Sequence, residues 1–539
     1  MNGMPERPFK LALVGILAVA FLFRAAGIRW GVPDPSHYFS FHPDEWVILG
    51  YTLGLDLPHG QIDPHFYNYG TVYLYLLHLV ILAGSTYGWV TLPNDVAHYE
   101  AFAGLYLTGR WLSVLAGVVT CWLAWEMGKR VCGYRCAMVA ASLLAMVPPH
   151  TLHCHFLTTD ATATLFITGV LLAALNLYEN GRRRTLITAG MLVGLASATR
   201  YNAALVLVAP LLALWLRGKE HGEAWLGKAL LLVVISGVAF LFFCPGVWMN
   251  PQEFWRDFGY EARHVREGHG LVFVNTGLGW VYHYWTNLRF GLGLPLLLLA
   301  TLSVLIAPLS RRPLVLILWV FVAVYYLFLG SFAVRFARYL LPILPPLMVL
   351  TAWLIAEAWR NTQGAGKVLV AVIAGGIVLY TLLWGTAVTM ALLQPDPRLR
   401  ALEWIRKEIP QGTRIGFASI PWFYTPPLSP YWGELQPSRR VERALEVKEY
   451  RLLVPREEWD TSALQQAHVV ILSQFEVDDA VRVRHAPALT FLDELNRSFR
   501  RVAQFDTAFR VDGILFGKRG VPHDMLYPFP RIEVWRRHR

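Results

Sequence analysis

The sequence predicts a mainly α-helical, polytopic membrane bundle followed by a C-terminal α/β domain. Three observations predict this fold class. First, 55% of the 539 residues are hydrophobic and only 16% are charged, whereas soluble domains carry about 25% charged residues. Second, the apolar residues form runs of a length that crosses a bilayer. Third, the acids gather towards one end of the chain: 18 of the 37 lie in residues 1–394 and 19 lie in residues 395–539.

Eleven apolar runs predict eleven spans within residues 1–394, the predicted transmembrane domain. The spans are expected near residues 10–28, 107–128, 136–152, 157–178, 185–199, 202–217, 228–245, 289–309, 313–330, 340–357 and 368–390. Arg7 and Lys10 precede the first run, and Arg24 stands where a signal peptide would have a small-residue cleavage site. The first run is therefore predicted to be an uncleaved span.

The basic residues of the loops predict the orientation of the spans. They gather in alternate loops and near the N-terminus, at Arg7, Lys10, Lys129, Arg130, Arg135, Arg182, Arg183, Arg184, Arg217, Lys219, Lys228, Arg311, Arg312, Arg360 and Lys367. The positive-inside rule places this side in the cytoplasm. Eleven crossings from a cytoplasmic N-terminus put residues 395–539 outside. We therefore predict a multi-pass protein of the cell membrane (plasma or inner membrane) with an extracytoplasmic C-terminal domain.

One further apolar run, residues 71–84, lies in the long first outer loop, residues 29–106. If this run crossed the bilayer once, every later loop would invert and the arginine clusters would face outwards. We therefore predict an interfacial or re-entrant helix on the outer face, with tyrosines at headgroup depth. These tyrosines are Tyr67, Tyr69, Tyr73 and Tyr75.

Residues 395–539 are predicted to form a mixed α/β domain that helps to recognise the acceptor. Helical spacing covers residues 399–409 and 489–499, and apolar β-branched runs predict strands at 414–419 and 468–473. A proline-rich loop between these elements carries aromatic residues suited either to stacking on sugar rings or to packing against the membrane domain. They are Trp422, Tyr424, Tyr431 and Trp432.

Neither the net charge nor the cysteines indicate a separate function. The formal net charge is +11, and the basic residues lie in the loops where the positive-inside rule expects them. The sequence contains no Walker-type loop and no basic stripe interleaved with aromatic residues. Nucleic acid is therefore not an expected partner. None of the five cysteines follows residue 244, so the C-terminal domain needs no disulfide. Cys132 and Cys136 flank a basic turn, where separate buried thiols are expected rather than a metal clip.

The predicted topology brings many polar side chains to one depth on the outer face. They are His42, Asp44, Glu45, His150, His153, His155, Asp160, Arg200, Tyr201, Arg263, His264, Arg266, His269, Arg335 and Arg338. Asp44 and Glu45 are the most informative. Placing two adjacent carboxylates at a bilayer face costs free energy unless they remain hydrated or have a functional role. Ionisable groups in such a setting indicate a functional site, here an outward-facing cavity.

The carboxylates also have structural interpretations. Asp44 could begin an interfacial helix after Pro43, and Asp160 could cap the fourth span. Glu45 is expected to be a solvated neighbour or a supporting group, because adjacent helical residues point about 100° apart. A catalytic role for Asp44 is the more specific hypothesis, since it gives an otherwise costly carboxylate a task.

The cationic groups have structural interpretations as well. Arg200 could be a snorkelling anchor at the interface. Arg335 and Arg338, three residues apart on one helix face, could bind lipid headgroups. The outer histidines are ligands that suit zinc, but no tightly spaced pair is present, so structural or supporting roles are favoured over a metal site.

Five fragments of the membrane domain, in this order, resemble a known family. They are Phe41-His42-Pro43-Asp44-Glu45, Arg110, His155 with Asp160, Gly194-Leu195-Ala196-Ser197-Ala198-Thr199-Arg200-Tyr201, and Arg338-Tyr339-Leu340-Leu341-Pro342. The chain resembles the membrane-embedded C-type glycosyltransferases, specifically the protein O-mannosyltransferase and aminoarabinose-transferase superfamily. Two features depart from the family pattern. Arg200 stands where lysine is common, and residues 63–70 lack the Lys-Pro-Pro of aminoarabinose transferases, which argues against that sugar.

The resemblance implies an inverting transferase that moves a sugar from a polyprenyl-phosphate donor to a protein, lipid or glycan acceptor. Phosphate is already a good leaving group, so the remaining needs are a base for the acceptor and positive charge for the phosphate. The implied roles are catalytic for Asp44, Glu45 and Asp160, donor-phosphate binding for Arg200, Arg338 and His264, and acceptor binding or support for His42, His155 and Tyr201. Asp44 is the expected base.

No cofactor is expected to be required, with a divalent metal as the alternative, and membrane lipids are the other expected partners. Two further functions suit a membrane bundle. A transporter or flippase often has inverted repeats and polar residues at the midplane, and an assembly or sensor protein would use its outer domain to bind a partner. The absence of an internal repeat, and the gathering of polar residues at one face, favour the enzyme.

Overall fold

The computed structural model describes residues 6–434, 436–518 and 520–538, and these residues are mainly helical. The helices up to the first strand are α1 (Glu6–Ala25), α2 (Pro43–Leu53), α3 (Val72–Thr86), α4 (Tyr99–Cys132), α5 (Tyr134–Met146), α6 (Pro148–His153), α7 (Thr159–Asn180), α8 (Arg183–Ser197), α9 (Val208–His221), α10 (Leu226–Phe243), α11 (Gly246–Met249), α12 (Pro251–Glu267), α13 (Gly279–Tyr282), α14 (Arg289–Ile306), α15 (Pro313–Gly330), α16 (Leu344–Asn361), α17 (Ala365–Leu392) and α18 (Pro397–Glu408). Short 3₁₀ helices at Tyr201–Leu207 and Ala337–Ile343 lead directly into α9 and α16.

Nine helices in this described part of the chain are long and apolar enough to cross a membrane. They coincide with nine of the eleven predicted spans. The other two predicted spans are the shorter helices α5 and α8, of 13 and 15 residues. The polytopic helical fold is therefore confirmed, whereas the count of eleven full-length spans is not. The run at 71–84 forms the separate 15-residue helix α3, as its apolar composition predicted.

The C-terminal part is an α/β domain built on one mixed sheet. Its remaining elements are β1 (Arg414–Phe417), α19 (Pro437–Leu445), β2 (Arg451–Leu453), α20 (Ser462–Gln466), β3 (Val469–Ser473), α21 (Gln474–Arg482), α22 (Ala486–Ser498), β4 (Phe499–Phe505), β5 (Phe509–Val511), β6 (Ile514–Phe516) and β7 (Ile532–Arg537). The sheet order is β2-β1-β3-β7-β4, with β2, β1 and β3 parallel and β7 antiparallel to both β3 and β4. All five residues of β3 are buried, as expected of a strand covered on both faces.

The four predicted elements of this domain are present. The helices expected at 399–409 and 489–499 are α18 and α22, and the strands expected at 414–419 and 468–473 are β1 and β3. A separate two-stranded hairpin, β5–β6, turns at Asp512 and Gly513, both with positive φ (43° and 82°). Such a turn favours Asp-Gly, because both positions need a left-handed backbone.

One hydrophobic core joins the membrane domain to the α/β domain. The buried side chains of this shared core include Trp30, Phe41, Phe156 and Trp384 from the first part of the chain, and Ile405, Ile415, Val469 and Tyr527 from the second. Apolar burial stabilises by roughly 25 cal/mol per Å². Because the two parts bury these side chains against each other, they form one continuous packed unit.

The aromatic loop of the α/β domain is packed inward. Trp432 is fully buried, with its ring 5.8 Å from that of Phe417. The Tyr431 ring lies 5.1 Å from that of Tyr38 in the membrane domain. Of the two predicted uses of this loop, the structure therefore shows packing.

The cysteine expectation was wrong at one position. Cys132 and Cys136 are joined by a disulfide across the turn from α4 to α5, where separate thiols were expected. Cys121, Cys154 and Cys244 are buried free thiols.

Candidate active site

Asp44 lies in the first turn of α2, and local sequence explains why the helix begins there. Pro43 occupies the first helical position, where its missing N–H costs nothing. His42 is the N-cap residue, and its Nδ1 accepts a hydrogen bond of 3.2 Å from the Asp44 N–H. A helix thus begins where the structural interpretation of Asp44 placed it. The Asp44 side chain is 26% exposed.

The Asp44 carboxylate pairs with Arg338, at the start of the helical segment that continues into α16. The Asp44 Oδ2 and the Arg338 Nη1 are 3.0 Å apart, and the Arg338 side chain is almost buried. Burial raises the pKa of the Asp44 carboxyl, but the charge of Arg338, with smaller contributions from His42 and Arg200, leaves that pKa below its usual range. Asp44 is therefore an anion at neutral pH. The near-burial of Arg338 also contradicts its use as a lipid-headgroup anchor.

A second carboxylate–arginine pair forms between Asp160 and Arg200. Asp160 lies in the first turn of α7, and Arg200 follows the end of α8. The Arg200 Nη1 donates to the Asp160 Oδ1. No side-chain capping bond forms at the start of α7, so the capping interpretation of Asp160 is not what the structure shows. Arg200 is only 13% exposed and therefore does not snorkel.

Aromatic rings hold the Arg200 guanidinium in place. It lies 5.3 Å from the Tyr69 ring centre and 5.4 Å from that of Tyr339, within the range of cation–π attraction. The loop carrying Tyr69 packs closely on the end of α8: a Cβ at Gly70 would lie 2.0 Å from the Ala198 carbonyl oxygen. Only glycine allows this approach, so Gly70 sets how near Tyr69 comes to Arg200.

The two ion pairs meet at one small cavity. It is lined by Asp160, Ala163, Ile167, Arg200, Asn202, Tyr325, Arg338, Tyr339 and Pro342. Asp44 adjoins it through its ion pair with Arg338. Helix ends that are far apart in sequence thus bring two acids and two arginines together, as the predicted topology required. Two guanidinium groups facing one cavity can bind a phosphate by charge-assisted hydrogen bonds.

Glu45 takes a different role from its neighbour. It is fully buried and bonds Arg110 of α4 in a bidentate pair, with Nε–Oε1 at 2.8 Å and Nη2–Oε2 at 2.7 Å. It also accepts from the Leu157 N–H at 2.7 Å and from the Ser40 hydroxyl. Of the two expected roles of Glu45, a solvated neighbour or a supporting group, the structure shows the supporting one. Its oxygens are engaged within the protein, which makes it a support that fixes α2 rather than a group free for catalysis.

His42 supports the site through the backbone of Asp44. Burial lowers the pKa of this histidine to about 4, although the Asp44 and Glu45 carboxylates act in the opposite direction. A neutral ring is consistent with Nδ1 accepting the Asp44 N–H. The other nitrogen, Nε2, is buried without a hydrogen-bond partner in the part of the chain that the structure describes. His42 is therefore next to Asp44, as predicted.

Three other predicted residues, His155, Tyr201 and His264, lie further from the ion pairs. The ring nitrogens of His155 are 2.9 Å and 2.8 Å from the carbonyl oxygens of Thr151 and Ala26, so this histidine ties two loops together and does not line the cavity. The Tyr201 hydroxyl lies 2.9 Å and 3.0 Å from the carbonyl oxygens of residues 67 and 69, and it therefore holds the loop that carries Tyr69.

His264 does not contact either arginine. Its ring lies on α12, 6.0 Å from that of Tyr260 and 5.2 Å from that of His269. Arg335 also turns away from the cavity: its Nη1 donates to the Thr276 hydroxyl at 2.5 Å. The structure thus gathers Asp44, Asp160, Arg200, Arg338 and His42 and leaves His155, His264 and Arg335 outside the cluster.

Among the residues that sequence reasoning missed, one adjoins the cluster from the C-terminal part. Asp524, in the C-terminal part, is fully buried and accepts from the backbone N–H groups of Ala337 and Arg338, both at 2.9 Å. No local motif marked it. Its only sequence signal is an acid inside a largely apolar and proline-rich stretch, residues 521–530.

One group of side chains in the described residues could hold a metal ion. The ligand atoms of Asp63, His65 and Glu253 lie within 4.8 Å of one another, and the His65 Nδ1 is 2.8 Å from the Glu253 Oε2. These residues sit in the loop before α3 and at the start of α12. Asp44 and Asp160 belong to a different set, where arginines supply the neutralising charge.

Residues 102–248 match the family described as dolichyl-phosphate-mannose-protein mannosyltransferase. The matched stretch runs from α4 into α11 and contains Arg110, Asp160 and Arg200, while Asp44 and Arg338 lie outside it. No curated protein sequence matches the chain significantly.

Several solved structures are similar over most of the chain. The oligosaccharyltransferase of Archaeoglobus fulgidus in its apo form is 12% identical, with 94% of this chain and 75% of that chain covered and a TM-score of 0.52. The same enzyme tethered with an acceptor peptide containing the NVT sequon is 14% identical, with 97% and 76% covered and a TM-score of 0.52. ArnT from Cupriavidus metallidurans bound to undecaprenyl phosphate is 14% identical, with 99% and 98% covered and a TM-score of 0.49.

Proposed function

We infer that this multi-pass membrane protein, a C-type glycosyltransferase of the protein O-mannosyltransferase and aminoarabinose-transferase superfamily, moves a sugar from a polyprenyl-phosphate donor to an acceptor at the outer membrane face. The observation that supports this most directly is the meeting of two carboxylate–arginine pairs at one cavity. The set supplies both components that transfer from a phosphate carrier needs: cations for the departing phosphate and a carboxylate for the acceptor proton. The acceptor is a protein, lipid or glycan.

Arg200 and Arg338 are the proposed phosphate ligands. Both are held rigidly, Arg200 between two tyrosine rings and Arg338 against the Phe336 ring at 4.3 Å. Guanidinium groups fixed in advance lose little freedom on binding an anion. Without a phosphate, each arginine pairs with its own carboxylate, so an incoming phosphate competes for both.

Phosphate binding gives Asp44 its proposed role as the base. The nearby charge of Arg338 holds the pKa of Asp44 low, and a carboxylate with a low pKa is a weak base. When the donor phosphate engages Arg338, that cation is shared and the affinity of Asp44 for a proton rises. Asp44 then accepts the proton of the acceptor group as the acceptor atom bonds to the anomeric carbon. The bond from that carbon to the phosphate oxygen breaks at the same time, and the phosphate leaves as an anion.

A single base and a single displacement predict inversion at the anomeric carbon. Retention would need a second carboxylate free to act as a nucleophile. Glu45 is occupied by Arg110 and Asp160 by Arg200, which supports the inverting mechanism. Asp160 orients Arg200 and the acceptor, and His42 supports Asp44 through the hydrogen bond to its backbone N–H.

The proposed function does not require a cofactor. Arg200 and Arg338 pair with Asp160 and Asp44, so these two carboxylates already have cationic partners where a divalent ion would otherwise compensate their charge. The candidate metal ligands Asp63, His65 and Glu253 form a separate group, and a cation bound there would brace the loop before α3 against α12.

The test is transfer by the purified protein from polyprenyl-phosphate hexoses and pentoses labelled in the sugar. Membrane-extracted glycans, lipids and proteins of the source organism serve as acceptors, with a parallel arm in EDTA. Labelled product and release of free polyprenyl phosphate support the proposal. Movement of intact labelled donor across vesicles without cleavage would instead identify a flippase and overturn it.

We expect Arg200→Ala to weaken binding of polyprenyl phosphate more than Arg200→Lys does. Lysine keeps the charge but loses the bidentate geometry and the stacking on two rings. Affinity is measured on the purified protein with polyprenyl phosphate as the probe. Arg335→Ala is the matched control, because Arg335 lies nearby but contacts neither carboxylate of the site. Equal affinity in wild type and both Arg200 variants would reduce Arg200 to a structural anchor.

We expect the C-terminal domain to lie outside the cytoplasm. A fusion after residue 539 to a phosphatase that is active only outside the cytoplasm should be active, and a fusion to a fluorescent protein that matures only inside should be dark. Fusions truncated after Gly181, beside the predicted cytoplasmic arginines, provide the opposite control. A fluorescent C-terminal fusion would invert the topology and move the cavity to the cytoplasmic face.

A further inference from the structure

A turn of the C-terminal domain reaches into the membrane site. This turn, the 3₁₀ segment His523–Met525, carries Asp524, whose side chain is 0% exposed. Its Oδ1 accepts from the Ala337 N–H and its Oδ2 from the Arg338 N–H, each at 2.9 Å. A carboxylate from a segment about 190 residues away in sequence therefore grips the backbone of the residue that pairs with Asp44.

The two hydrogen bonds accepted by Asp524 lie at the N-terminus of a helical segment, where backbone N–H groups need partners. The first N–H groups of a helix have no partner within the helix, and Ala337 and Arg338 are the first two residues of the segment that leads into α16. An anion there also interacts favourably with the helix dipole. Asp524 thus fixes the position of the Arg338 backbone, and with it the starting point of the side chain that lies 3.0 Å from Asp44.

The residues around Asp524 contact the same side of the site. The Tyr527 ring lies 5.0 Å from that of His42, and the His523 ring lies 6.0 Å from that of Phe336. The His153 Nε2 is 3.5 Å from the Asp524 Oδ2. His523, Asp524 and Tyr527 therefore contact the neighbours of both members of the Asp44–Arg338 pair.

We propose that Asp524 is a positioning residue for sugar transfer, which makes the C-terminal domain a structural part of the active site rather than only a device for acceptor recognition. The proposal rests on the proposed function, since it assigns Asp524 to act through Arg338. Loss of the grip lets Arg338 move relative to Asp44 and to the donor phosphate. Misplacement by about 1 Å at a catalytic centre can cost about 10²-fold in rate.

A second buried acid provides the matched control. Asp396 also fastens the C-terminal domain to the membrane domain: it accepts from the Trp30 Nε1 at 2.9 Å and from Arg398. It does not contact Arg338. A variant at Asp396 therefore weakens domain docking but leaves the hydrogen bonds to the Ala337 and Arg338 backbone in place, whereas a variant at Asp524 disrupts them as well.

The test compares Asp524→Asn and Asp396→Asn, each alone and combined with Arg338→Gln. Asn retains the shape of the side chain but loses its charge and one of the two acceptors. We expect Asp524→Asn to lower kcat/KM for the donor by about 10²-fold, and to have little further effect once Arg338 is already Gln, because both changes disable one unit. The effect of Asp396→Asn on activity, whatever its size, should be equal in the wild-type protein and in Arg338→Gln. Equal factors for Asp524→Asn in both backgrounds would overturn the proposal.

A measurement independent of transfer separates this proposal from the proposed function. The Asp44 carboxyl is titrated by infrared difference spectroscopy against Asp44→Asn. Displacement of Arg338 should raise the pKa of Asp44 in Asp524→Asn and leave it unchanged in Asp396→Asn. An unchanged titration in both variants contradicts the positioning role even if the wild type transfers sugar. If the pKa of Asp44 rises in Asp524→Asn but the wild-type protein transfers no sugar, the positioning of Arg338 is supported and the proposed activity is rejected.

Discussion

Replacing Asp44 by Asn is expected to lower the rate of sugar transfer by about 10²–10⁴-fold, the contribution that a general base typically makes. Asn is nearly isosteric with Asp but cannot take up the acceptor proton. Its neutral side chain also leaves the nearly buried Arg338 without the carboxylate that lies 3.0 Å from it. The rate is measured with the labelled polyprenyl-phosphate sugar, alongside the melting temperature of the purified protein.

Asp56→Asn is the appropriate control for this variant. Asp56 follows α2 in the same loop region, is 48% exposed, and its side chain contacts His59. Glu45→Gln would be a poor control, since breaking a buried ion pair such as Glu45–Arg110 costs about 3–5 kcal/mol in stability. If Asp44→Asn retained transfer within a few-fold of wild type while melting normally, another group would have to be the base.

Arg338→Gln is expected to lower transfer by about 10²–10³-fold, the typical cost of removing one preorganised group that stabilises developing charge. It should also move the pH profile in a defined direction. Arg338 holds the pKa of Asp44 below its usual range, so its removal raises that pKa. Because Asp44 works as a carboxylate, the acid limb of kcat/KM, which reports the free enzyme, moves to higher pH in the variant.

The wild-type profiles provide a second check on the same interaction. If donor phosphate draws Arg338 away from Asp44, the pKa of Asp44 is higher in the enzyme–donor complex than in the free enzyme. The acid limb of kcat should then lie at higher pH than that of kcat/KM, and this separation should shrink in Arg338→Gln. Superimposable limbs in the wild type would show that phosphate binding does not release Asp44.

The fold was predictable because its main signals are local. Apolar runs located the helices of the membrane domain, and the apolar run 468–473 located the central strand β3. The prediction of eleven spans included α5 and α8, which are 13 and 15 residues long. α5 ends at Met146 because Pro148 and Pro149 follow, and the chain starts the separate short helix α6 there. Hydropathy reports that such a segment is apolar, not where its helix is interrupted.

The site was predictable in its members but not in its pairings. Topology placed Asp44, Asp160, Arg200 and Arg338 at one depth, and the structure brings them to one cavity. Which acid meets which arginine depends on how the helix ends pack, and no spacing rule encodes that. His155 and His264 satisfied the same depth criterion, yet one ties loops together and the other packs on α12.

The two least predictable contacts join distant segments. Glu45 was expected to be a solvated neighbour or a supporting group, and nothing in the sequence indicated its partner Arg110, 65 residues away. Asp524 lies about 190 residues from the backbone that it grips, in a stretch with no motif. The Asp512-Gly513 turn, by contrast, was a short-range hairpin signal that could have located β5 and β6.

The core shared by the two parts of the chain sets an order of events during biogenesis. A ribosome makes residue 337 well before residue 524, so the helices of the bundle insert while Arg338 still lacks its grip. The cavity reaches its final form only when the last part of the chain has folded back onto the bundle. Until then the nascent protein carries Arg338 without the contacts of Asp524 to the Ala337 and Arg338 backbone.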